Sequence, residues 1–63
     1  MQITEDMAKA LRVKRAKLAL TKQQVQEQIG VSSVTYIRLE RGNWNATKEV
    51  YQKVFSWLAK DFD

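Results

Sequence analysis

TKQQVQEQIGVSSVTYIRLERG, residues 21–42, decides the fold. Thr21-Lys22-Gln23-Gln24 has the form of a capping box, with Leu20 placed to staple against Val25 across the helix start. Val25 and Ile29 share one helical face, and Gly30 marks a stop because glycine takes the left-handed conformation that ends helices. Ser32 then caps a second helix, Val31 and Tyr36 repeat the staple, and Gly42 ends it. Only Gly30-Val31-Ser32 separates the two. So tight a turn forces two short helices to cross steeply, which is the helix-turn-helix arrangement, here spanning about residues 22–41.

The second of these helices carries a surplus. At about 100° per residue, Tyr36 and Leu39 fall on one face. Val34 and Ile37 fall on the opposite face, with Ser33, Arg38 and Arg41. Two aliphatic residues thus stand where water is expected.

Working outward, a first helix begins at Thr4, with Glu5 and Asp6 in the first turn, where the helix dipole favours negative charge. Met7, Ala8, Leu11 and Leu18 mark its buried stripe. Thr47 caps a last helix reaching about Lys60, with Val50, Tyr51, Val54, Phe55, Trp57 and Leu58 apolar and Phe62 just beyond. No segment alternates with period two for long, so no strand is predicted, and 43–46 reads as a polar loop. Its Trp44 suits a sugar-phosphate contact, a dimer contact or a plug for the loop.

The 63-residue chain predicts one small all-α domain, near the lower limit of what folds without staples. With 44% hydrophobic residues it has enough for a core. Cysteine and histidine are absent, which excludes disulfides, thiolate chemistry, the usual zinc ligand sets and a histidine base. No apolar run approaches the roughly 18 residues that span a bilayer. MQITEDM does not read as a signal peptide, so a cytoplasmic location is expected, in a bacterial cell or a phage-infected host. Neither a metal, a cofactor nor a small-molecule ligand is expected. Eleven Lys and Arg against seven Asp and Glu give a net charge of +4, and Lys9, Arg12, Lys14, Arg15 and Lys17 sit together. That excess points to nucleic acid as partner, although the cluster itself reads first as a solvated face.

LRVKRAKLALTKQQVQEQIGVSSVTYIRLERG, residues 11–42, resembles the phage-repressor-type (Xre or Cro) helix-turn-helix family. The echoes are KR at 14–15, L-x-L at 18–20, IGVS at 29–32 and LERG at 39–42, and the likeness extends over about residues 7–58. It implies a compact lambda-repressor-like bundle of four helices, with at most a short fifth turn. It further implies that the third helix enters the DNA major groove while the second crosses the backbone. By the same resemblance, Arg15 and Glu40 form a structural ion pair. The fifth position of the unit, small in most of that family, is here Gln26, whose longer side chain must reach outward or open the crossing. Lys48 stands where the family has an apolar residue.

For a DNA reader the outward stripe acquires roles. Arg38 can donate two hydrogen bonds to guanine O6 and N7, Val34 and Ile37 can pack on thymine methyls, and Ser33 can donate or accept. Phosphates are expected at Lys22 and Gln23, where the free N–H groups of a helix N-terminus favour an anion. Ser32 and Arg41 are expected there too, and the resemblance adds Asn43, Asn45 and Lys48. It also implies that Tyr51, Val54, Phe55 and Leu58 face the other helices, leaving Val50 and Trp57 on an adjoining stripe. Trp57, Phe62 and Val50 are therefore the expected contact of a symmetric homodimer, in solution or only on DNA, reading a palindromic operator.

The function expected is sequence-specific binding of double-stranded DNA by a transcriptional regulator acting through operator occupancy. An antitoxin-type DNA-binding protein and a protein-interaction module of the same fold are the alternatives. An enzyme is not expected: Ser32 or Ser33 with a lysine lacks a held base, and Glu27, Glu40 and Glu49 make no acid–base pair.

Overall fold

A computed structural model describes residues 1–60. Four helices carry the chain: α1 (Glu5–Lys17), α2 (Lys22–Ile29), α3 (Ser33–Arg41) and α4 (Lys48–Ala59). The fold is all-α and compact. Phe62 and the short fifth turn expected after α4 lie outside the described residues.

Each helix starts where a side-chain oxygen meets the orphan N–H groups of the first turn. Thr4 accepts from the Met7 N–H, Thr21 from Gln24, Ser32 from Thr35 and Thr47 from Val50. At Thr21 the bond is returned by the Gln24 side chain, completing the box. Helix ends are more varied. Gly30 is left-handed at φ 84° and ends α2, but α1 ends through Ala19, a non-glycine residue at φ 55°. Gly42, at φ 77°, has a second reason for being glycine. A Cβ there would come within 3.1 Å of both Ala8 Cβ and Glu5 Cα, so the end of α3 passes directly over the start of α1.

One element contradicts the strand-free expectation. Gln2–Ile3 (β1) pairs antiparallel with Trp44–Asn45 (β2), Ile3 opposite Trp44. Ile3 is fully buried, and Ala46 N–H donates to the Met1 carbonyl at 2.8 Å. Two-residue strands are too short to show alternation, so period-two reading passes over them. The segment 43–46 is thus half of a small ribbon.

The core joins Ile3, Leu11, Val25, Ile29, Tyr36, Leu39, Ala46, Val54 and Trp57. The stapling residues Leu20 and Val31 pack against it, half-buried. Trp57 corrects the expectation for α4. It is 5% exposed and its indole N–H donates to Gln28 Oε1 at 2.9 Å, so it belongs to the core. Val50 also packs against the core, half-buried. Conversely Phe55, expected inside, is 58% exposed. The turn of α4 differs by one stripe from the expected one.

Helix α1 departs from a solvated basic face as well. Lys14 Nζ caps the end of α4, donating to the carbonyls of Trp57, Leu58 and Lys60, and lies 4.8 Å from the Trp57 ring centroid. Cations suit this end of a helix because the last carbonyls are unpaired and the dipole is negative there. Arg12 donates to the Glu40 carbonyl. Lys9 and Lys17 remain exposed.

Candidate nucleic-acid interface

Helix α3 is held from its inner side. Tyr36 and Leu39 are 2% and 0% exposed, which fixes the rotation of the helix about its axis. A polar cluster then locks its C-terminal half to α1: Arg15 Nε donates to Glu40 Oε2 at 2.8 Å, and the Tyr36 hydroxyl donates to the same oxygen. Arg15 and Glu40 are thus paired as the resemblance implied. Their side chains are only 23% and 11% exposed, so the pair is partly shielded from water. Burial, with the Glu40 carboxylate beside it, pushes the Tyr36 phenol well above its ordinary range. The phenol therefore stays protonated and keeps donating to Glu40.

With that face committed, Ser33, Val34, Ile37, Arg38 and Arg41 are all exposed. Val34 is 60% and Ile37 57% exposed, among the largest apolar surfaces left in contact with water. Lone exposed aliphatics are ordinary. A pair one helical turn apart, flanked by arginines on a short helix, makes a stripe.

The stripe has neighbours on two sides. Lys22, Gln23 and Gln26 from α2 line one shallow groove together with Ser33, Tyr36 and Ile37 from α3. Lys22 and Gln23 are exposed at the N-terminus of α2, beside the stripe, and Gln26 is half-buried between the helices. On the other side the Arg38 guanidinium lies 5.9 Å from the centroid of the Trp44 ring, in the ribbon that follows α3.

No family model, curated protein or solved structure matches this chain.

The remaining expected residues divide. Arg41, Asn43 and Lys48 are exposed. Ser32 already spends its hydroxyl on the cap, accepting from Thr35 N–H and donating to Thr35 Oγ1 at 2.9 Å. Asn45 Oδ1 accepts from the Met1 amino group at 2.9 Å, so its carbonyl side is occupied. These two hold local structure first. Among the described residues no cluster of potential metal ligands occurs, and no helix is long and apolar enough to cross a membrane.

Sequence reading left Trp44 open between a sugar-phosphate contact, a dimer contact and a loop plug, and missed its pairing with Ile3. The available signal was compositional: a single aromatic in a polar loop and a single isoleucine in a polar lead. Their backbones pair, and both side chains join the core, Ile3 fully and Trp44 half-buried.

Proposed function

We propose that this chain is a sequence-specific double-stranded DNA-binding regulator that uses α2, the Gly30 turn and α3 as a helix-turn-helix. The supporting observation is the outward face of α3, where exposed Val34 and Ile37 stand beside Arg38 on a helix whose opposite face is sealed into the core. Apolar side chains next to an arginine suit the major groove, which offers thymine methyls and guanine acceptors within a few ångströms of one another. Water alone gives no reason for that combination.

Lys22 and Gln23 lie beside the stripe and supply the backbone contact, aided by free N–H groups of the α2 start. Arg41, Asn43 and Lys48 extend positive and polar surface beyond α3. The net charge of +4 favours approach to a polyanion. In this reading, regulation is by occupancy of a site. This keeps the phage-repressor-type reading.

Two copies reading two half-sites belong to the same proposal, with their contact moved from Trp57. The surface available is the outer side of α4, where Phe55 stacks with Tyr51 at 6.4 Å between ring centroids. Met7, Ala10 and Leu58 line an open apolar cleft beside these rings. Aromatic surface of this kind is enriched at protein interfaces.

A salt series with random duplex tests the reading. The logarithm of affinity should fall linearly with the logarithm of salt concentration. Lys22→Ala should lower that slope by about one unit while weakening all sequences alike. Affinity independent of salt, or no binding, would contradict the DNA reading and leave a protein-interaction module.

A further inference from the structure

Base reading by an arginine needs more than its presence on the outward face. The guanidinium is a planar fork on a long chain with large rotamer entropy, and it recognises guanine only in one plane. Among the described residues no carboxylate pairs with Arg38. What lies against it is Trp44, with the guanidinium carbon 5.9 Å from the ring centroid.

Trp44 is itself firmly placed. Its backbone pairs with that of Ile3, which is 1% exposed, and its half-buried ring packs against the core cluster. An indole anchored on its inner side and carrying a guanidinium on its outer side is a platform. Tryptophan is the best of the aromatic side chains for this contact, and the separation is within the range at which it attracts.

We propose that Trp44 is a positioning residue: it stacks against Arg38 and fixes the plane in which the guanidinium meets a base. Specificity at one base pair then depends on a residue outside α3. The inference rests on the DNA reading above. It also gives a role to the outer side of a tryptophan whose inner side packs against the core.

The test measures discrimination at the base pair read by Arg38. The probe is a duplex recovered by the wild-type protein from a random-sequence pool, together with the same duplex carrying A·T in place of G·C at the position to which Arg38→Ala becomes indifferent. Trp44→Leu keeps an apolar, smaller side chain and removes the π face. It should reduce the ratio of the two affinities about three- to tenfold, with affinity for random duplex and its salt slope unchanged. Trp44→Phe retains an aromatic face and should restore much of the ratio. If Trp44→Leu does not fold, the comparison of wild type with Trp44→Phe decides, since the ratio should still drop toward the weaker ring. A second measurement needs no DNA: the Arg38 side-chain proton resonances should show a ring-current shift that Trp44→Leu or Trp44→Phe alters. An unchanged ratio, or an equal loss on every duplex, would overturn the proposal while leaving DNA binding in place. Absence of salt-dependent binding by the wild type would overturn the DNA reading, and this proposal with it.

Discussion

Helices α3 and α4 each carry more apolar residues than one buried face holds, and they dispose of the surplus in opposite ways. In α3 the inner set is Tyr36 and Leu39, and the surplus, Val34 and Ile37, stays in water. In α4 the surplus is drawn inward: Val54 and Trp57 are buried, Val50 packs beside them, and Phe55 is turned out. The difference lies in what each helix meets. Trp57 finds an acceptor for its indole N–H in Gln28 and a cation near its ring in Lys14, so burying it leaves no polar atom unpaired. A buried indole without such a partner is costly. Nothing comparable invites Val34 or Ile37 inward, because the Arg15–Glu40–Tyr36 cluster already fixes the rotation of α3.

The largest expected effect breaks the comparison at α4. Trp57→Ala should destabilise the protein by about 3–5 kcal/mol, the usual cost of deleting a large aromatic from a core. Chemical denaturation reads this directly. A change below about 1 kcal/mol would return Trp57 to the surface and make α4 resemble α3.

Arg15→Ala tests the lock on α3. It strands the Glu40 carboxylate in a partly shielded site, and a loss of about 2 kcal/mol is expected, below the range for a fully buried pair because water still reaches it. Thermal or denaturant unfolding should register the loss, while affinity for DNA of the folded fraction changes little. Unchanged stability with lost binding would move Arg15 from the lock to the interface.

Phe55→Ser sharpens the comparison from the other side. An exposed residue should alter stability by no more than about 0.5 kcal/mol. Binding to a duplex with two half-sites should lose its cooperativity, measured by sedimentation and by titration against a one-half-site duplex. Cooperativity that survives would remove this surface from the pairing of copies.

How far the sequence spoke can be followed along the same two helices. The four N-caps were legible because Thr4, Thr21, Ser32 and Thr47 act through local hydrogen bonds. The outward stripe of α3 was legible because only two apolar residues competed for its inner face. In α4 the apolar positions 50, 51, 54, 55, 57 and 58 span an arc of about 160° at 100° per residue, wider than one buried stripe, so two stripes fit the same periodicity. The choice between them is made by Gln28 and Lys14, which are distant in sequence. The ribbon of β1 and β2 was illegible for a similar reason: Ile3 and Trp44 have meaning only as a pair. Arg12 and Lys14 looked like solvated charges because their partners are backbone carbonyls, which no sequence pattern marks.

The central claim is that the exposed face of α3 reads bases, and Arg38→Ala tests it most directly. Affinities of wild type and variant are to be compared on the duplex selected by the wild type and on random duplex at one salt concentration. The account predicts a loss of about 1–3 kcal/mol on the selected duplex, a smaller loss on random duplex, and relaxed choice at a single base pair. Equal loss on both, or no preference by the wild type for any sequence, would contradict it.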